Sequence, residues 1–201
     1  MDAGAWDSRY ASVEQVWSVA PNQFVAAELA DLPPGRAVDL ACGEGRNAIW
    51  LAERGWQVTA LDFSQVAVDR GRRIAGPLTV DWRVDDALTA ELPQADLVVL
   101  AYLQLPEDER RNAVRRGFAV LEPGGTFFLV AHDSTNLTQG TGGPQDASVL
   151  HTAEDVLADL EGEPFDVIRA SRVARVVEQD DEHGGTSQAT AWDALVRLVR
   201  R

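Results

Sequence analysis

The chain contains no lysine: all 18 of its basic side chains other than histidine are arginines. That bias reflects codon usage rather than chemistry. It has a single cysteine, Cys42, which excludes an internal disulfide and fits a reducing compartment. No apolar run approaches the roughly 20 residues of a membrane helix. The first ten residues, MDAGAWDSRY, lack the basic and apolar regions of a secretory signal, so a cytoplasmic protein is expected. Positive charge is scarce: 18 basic residues face 32 acidic ones, a formal net charge of -14. Nucleic-acid binders draw much of their affinity from a basic stripe. Here the arginines are scattered, apart from Arg70 to Arg73 and Arg110 to Arg116, both read as solvated helix faces. This argues against nucleic acid as a partner and favours a small molecule. Three histidines and one cysteine show no metal-site spacing.

The stretch from Ala37 to Ser64, AVDLACGEGRNAIWLAERGWQVTALDFS, is the most informative. A short apolar run (Ala37, Val38, Leu40) enters a turn holding Gly43 and Gly45. A helical segment follows through Ala48 and Leu51 to Gly55, which can end it in the left-handed conformation. A second apolar run, Val58 to Leu61, ends at Asp62. This is half of a nucleotide-binding βαβ unit, in which the acid can accept hydrogen bonds from two ribose hydroxyls. Gly43, Gly45 and Ala48 also satisfy dinucleotide spacing. Asp39 discriminates. A carboxylate just before the turn would repel a pyrophosphate, but it suits a ligand carrying a cationic amino group, such as S-adenosylmethionine.

On these residues the segment resembles the class I S-adenosylmethionine-dependent methyltransferases. Their first motif, an acidic residue, a spacer and G-x-G-x-G, appears here as Asp39-Leu40-Ala41-Cys42-Gly43-Glu44-Gly45. Ala41 stands where the family usually has its first glycine. The run CGEGRNAIWLAERGWQVTALDFS is similar to the small tellurite-resistance and thiopurine group. The resemblance implies that Asp39, Ala41, Cys42, Gly43, Gly45, Arg46 and Asn47 surround the methionine part of the cofactor. It implies that Asp62 binds the ribose, that Phe63 packs on the adenine, that Asp86 and Ala87 contact the adenine edge, and that Ala101, at the end of the fourth strand, is a further cofactor-binding residue.

The rest of the chain alternates strands and helices. Trp6 to Ala30 reads as helical, broken at Pro21, with Asn22 capping a second helix. Leu32 to Gly35 turns into the first strand. Ser64 caps a helix to about Arg73, and a third strand runs near Leu78 to Val84. Leu97 to Leu103 reads as a strand covered on both faces. Pro106 opens the next helix, with Glu107, Asp108 and Glu109 complementing its dipole. LEPGG turns into a fifth strand, Thr126 to Ala131. A glycine-rich loop, 132–147, suggests a gate. Thr152 and Asp155 have capping-box spacing. Two strands, near Phe165 to Val177 and Gln188 to Val199, flank a hairpin loop. The expected fold is α/β: a Rossmann-like, seven-stranded, mostly parallel sheet with helices on both faces and a C-terminal antiparallel hairpin. One domain is expected over 1–201, with 1–34 as a helical lid on a core of 35–201.

Residues at the carboxyl ends of the strands should cluster. By resemblance, Tyr102 and Gln104 occupy the acceptor-facing position; His132 follows the fifth strand with an imidazole suited to act as a base, and Tyr102 and His132 are the candidate catalytic residues. Tyr10, Trp17 and Gln104 are candidate acceptor-binding residues. The expected activity is methyl transfer from S-adenosylmethionine to a small-molecule nucleophile. A non-catalytic binder of S-adenosylmethionine or S-adenosylhomocysteine, and less so an NAD-dependent oxidoreductase, stand as alternatives.

Overall fold

The computed structural model describes Gly4, Asp7, residues 20–180 and residues 186–201. Seven strands make one sheet: β1 (Arg36–Leu40), β2 (Gln57–Asp62), β3 (Val80–Val84), β4 (Ala95–Ala101), β5 (Leu121–His132), β6 (Phe165–Asp180) and β7 (Thr186–Arg200). Their order is β3-β2-β1-β4-β5-β7-β6. The first five are parallel, and β7 lies antiparallel between β5 and β6. The helices are α1 (Gln23–Leu29), α2 (Arg46–Glu53), α3 (Gln65–Ala75), α4 (Glu107–Ala119), the single turn α5 (Asn136–Gln139) and α6 (Ala153–Asp159).

Strands β1 and β4 are almost continuously buried because helices cover both of their faces. One face packs Val38, Leu40, Val98, Leu100 and Phe127 against Val114 and Phe118 of α4 and Val156 of α6. The other packs Val58, Val99, Phe128 and Leu195 against Val25 and Leu29 of α1 and Trp50 and Leu51 of α2. The helix ends carry the caps that the sequence predicts. Asn22 accepts from Phe24 and Val25, Ser64 from Ala67, and Thr152 and Asp155 form a reciprocal capping box.

Some expectations shift. Pro106 is the residue before α4 rather than its first. β5 begins at Leu121, which pairs with Ala95 across a register irregularity. Arg110 is not on a solvated face: its guanidinium makes a buried, bidentate ion pair with Asp159, with Nε at 2.7 Å, joining α4 to α6. Nor is the 132–147 loop slack. The Asn136 side chain accepts from the Trp192 amide and donates to the Thr141 and Gly142 carbonyls, pinning the loop to β7. No described helix is long and apolar enough to cross a membrane.

Candidate active site

The strand order reverses between β1 and β4, so the crevice above their carboxyl ends is where an open α/β sheet binds ligands. The chain leaves β1 through Ala41 at φ 55°, a left-handed conformation costly for any residue with a Cβ. Gly43 and Gly45 follow at φ 57° and 78°. Gly45 has a second reason to be glycine: a Cβ there would lie 2.1 Å from the Trp82 indole of β3, which also fills the space above Gly71 of α3. The turn is tied down from three sides. The Cys42 amide donates to the Leu61 carbonyl, the Gly43 amide to Asp62 Oδ2 at 2.9 Å, and Arg70 of α3 pairs with the buried Glu44 at 3.1 Å.

Asp39 is 1% exposed, and neither carboxylate oxygen has a hydrogen-bond partner among the described residues. Burial pushes its pKa up to about 7. The Ala48 amide, outside bonding geometry, and the Arg46 guanidinium offset this only in part, and the Asp62 charge adds to it. An uncompensated buried carboxylate is costly and calls for a cationic donor.

Asp62 is also buried. Its Oδ1 accepts from the Ser64 amide and its Oδ2 from Gly43, so it is a clamp between turn and strand as well as a candidate ribose ligand. Asp7 reaches the same place, accepting from the Ser64 hydroxyl and the Val66 amide. Cys42 is buried, its thiol pKa is pushed well up by burial and by the Asp39 and Asp62 charges, and it is therefore inert. Asn47 is buried, and its side-chain Oδ1 accepts from the Asn22 backbone amide, joining α2 to the start of α1. Phe63 follows β2 half-buried. Asp86 is exposed after β3, accepting from the Leu88 amide, with Ala87 buried behind it. Ala101 ends β4, half-buried.

Immediately after β4, Tyr102 sits at φ 61°, its amide donating to the Val130 carbonyl at 2.7 Å. Its hydroxyl donates to Asp193 Oδ2 at 2.8 Å. Arg175 donates to the same oxygen at 2.8 Å, and His132 Nδ1 lies 3.3 Å from Oδ1. The Tyr102 and His132 rings are 4.9 Å apart. Gln104 is engaged by the protein itself. Its Oε1 accepts from the His132 amide and its Nε2 donates to the Val149 carbonyl, so both ends of the side chain are spent bracing the backbone. Tyr10 and Trp17 lie outside the described residues.

Sequence reasoning missed Asp193, Arg175, Glu44 and Asp7. Asp193 left one signal, an acid within the apolar run Ala191 to Leu198. A separate open cleft of about 660 Å³, lined by Arg36, Gln57, Thr79 and Pro93, lies at the opposite, amino ends of the strands. Its charged members are already paired, Arg36 with Asp96 and Asp81 with Arg83, so it offers no chemistry. Among the described residues no acidic, histidine or cysteine group is arranged to hold a metal.

Residues 37–125 match the family model described as a methyltransferase domain. A ribosomal RNA small subunit methyltransferase C of Alcanivorax borkumensis is 33% identical over 49% of this chain and 33% of its own length. A ubiquinone biosynthesis O-methyltransferase of Xanthomonas campestris is 37% identical over 53% of this chain and 46% of its own. The chain thus spans a third to a half of these relatives. Among solved structures, TehB from Haemophilus influenzae superposes with a TM-score of 0.74 at 17% identity, covering 92% of this chain and 64% of that one. The N-methyltransferase NodS from Bradyrhizobium japonicum, solved with S-adenosylhomocysteine, superposes with a TM-score of 0.73 at 17% identity, covering 100% and 99%. Residues 37–125, with the acid-led glycine turn at the switch point of this sheet, thus match a methyltransferase domain, and the chain has the fold of the class I S-adenosylmethionine-dependent methyltransferases.

Proposed function

We propose that the protein binds S-adenosylmethionine at the glycine turn and transfers its methyl group to a small-molecule nucleophile. The observation that carries this reading is Asp39, buried beside the turn with neither oxygen partnered among the described residues. A ligand ammonium satisfies it, and a pyrophosphate does not. The other residues fit the same cofactor. Asp62 retains lone pairs for ribose hydroxyls beyond the two amides it already accepts. Phe63, Asp86 and Ala87 stand at the neighbouring strand ends, where an adenine would lie. When bound, S-adenosylmethionine supplies an electrophilic methyl carbon on a sulfonium. The protein's task is then to align the acceptor and exclude water. Tyr102 and His132 stand on the acceptor side.

The small-molecule class is supported by charge. The net charge is -14, and Arg36, Arg70, Arg110 and Arg201 are spent in pairs with Asp96, Glu44, Asp159 and Asp166. The similarity to a ribosomal RNA enzyme covers only a third of that protein.

Calorimetric titration with S-adenosylmethionine, S-adenosylhomocysteine and NAD tests the proposal. Asp62→Ala would confound it by releasing the turn, so Asp39→Asn is the better variant. Micromolar binding of both sulfur ligands, weakened ~10-fold or more in Asp39→Asn and absent for NAD, is expected. Binding of NAD alone would overturn it. Binding without transfer to any thiol, phenol or amine would assign a non-catalytic role.

A further inference from the structure

Resting on that reading, we infer that Asp193 and Arg175 position His132 as a proton acceptor, and that the methyl acceptor is therefore a hydroxylated compound of the phenol class rather than a thiol. Asp193 is 0% exposed at the carboxyl edge of the sheet, opposite His132 in the β5–β7 register. Two donors converge on its Oδ2, the Tyr102 hydroxyl after β4 and Arg175 on β6, while His132 at the end of β5 faces Oδ1 with Nδ1 3.3 Å away, outside hydrogen-bond geometry. Burial alone would raise its pKa, but the His132 imidazole, the Arg175 guanidinium and the Tyr102 hydroxyl more than offset this and hold it below the usual carboxylate range. Tyr102 is driven the other way by burial and by the Asp193 charge, so its hydroxyl stays a donor.

A carboxylate facing Nδ1 selects the tautomer protonated there and leaves the Nε2 lone pair as the base. Gly143 packs against the ring: a Cβ there would come within 2.9 Å of it. Among the described residues, Asp193 is the charged group recorded against His132, with the Tyr102 ring 4.9 Å from the imidazole. Asp133, the next residue, is turned away to the Thr135 amide and hydroxyl.

A soft thiolate needs no such arrangement, whereas a phenol must lose its proton as it attacks. The phenol oxygen would form its bond to the methyl carbon as the carbon–sulfur bond breaks, that electron pair passing to sulfur. The phenolic proton goes to His132 Nε2 and then to solvent.

The test compares the O/S pair 4-methylphenol and 4-methylthiophenol, with catechol as a second phenol, in wild type, His132→Gln and Asp193→Asn. S-adenosylmethionine affinity is measured alongside. We expect affinity within about twofold throughout. Transfer to the phenols should fall ~100-fold or more in His132→Gln and ~10-fold or more in Asp193→Asn. Transfer to the thiophenol should stay within about threefold, and the acid limb of kcat/KM for phenols should vanish in His132→Gln. Wild type that holds S-adenosylmethionine but methylates no phenol, or variants that slow both acceptors alike, overturn the inference. Wild type that binds no S-adenosylmethionine overturns the underlying reading instead.

Discussion

Asp39 binds a proton more tightly in the folded protein than in water, because burial penalises its charge. Its pKa rises from 3.8 to about 7. The folded state is therefore favoured below pH 4, and the advantage is lost as pH rises through 7, by about 4 kcal/mol at most. Asp39→Asn should accordingly leave stability nearly unchanged at pH 4 and raise it by roughly 2 kcal/mol at pH 8, read by urea denaturation. The same variant weakens cofactor binding, so stability and function oppose each other at this residue. A ligand ammonium should restore the charge. Binding of S-adenosylmethionine near pH 6 should release about one proton, measured by calorimetry in buffers of different ionisation enthalpy. Ala41 carries a smaller cost. Its φ of 55° suits glycine, and Ala41→Gly should stabilise the fold by roughly 0.5–1 kcal/mol in the same denaturation assay.

At the scale of elements, the glycine turn is held by what packs behind it. Trp82 of β3 lies over both Gly45 and Gly71, so β3 and α3 set the position of the loop without touching a ligand. Gly45→Ala combines a φ of 78° with a clash against the indole and should cost about 3 kcal/mol or more, seen as a lowered thermal midpoint. Trp82→Leu should relieve the clash and recover part of that loss in a double-mutant cycle. The β6–β7 hairpin has an equivalent role on the acceptor side. Its pairing with β5 delivers Asp193 and Arg175 to residues that end parallel strands far away in the sequence.

Over the whole molecule, two buried groups titrate with opposite sign. His151 is 1% exposed, neither ring nitrogen has a partner among the described residues, and burial lowers its pKa to about 4, helped by the Arg110 charge. Its unfolded form binds a proton below pH 6.5 while the folded form does not, so stability falls as pH drops from 6.5 towards 4. Asp39 gives the reverse slope over the same range. The two should nearly cancel. Asp39→Asn should expose a rise of about 1.4 kcal/mol per pH unit, and His151→Leu a fall of similar size. Denaturation across pH 4.5 to 6.5 checks both slopes.

The sequence by itself determined the βαβ unit, its acids and glycines, the helix caps and the antiparallel hairpin. Each of these is written locally, in apolar period, turn chemistry and cap residues a few positions apart. What the tertiary structure decided was the use of side chains whose partners are distant. Gln104 looks like an acceptor ligand in sequence but braces His132 and Val149. Arg110 looks solvated but is buried on Asp159, 49 residues away. Asp193 reads as one acid in a strand, yet it gathers Tyr102 from 91 residues away. Whether a polar residue faces water, a backbone group or another charge depends on which strands become neighbours. The order β4-β5-β7-β6, which only the folded sheet contains, settled that here.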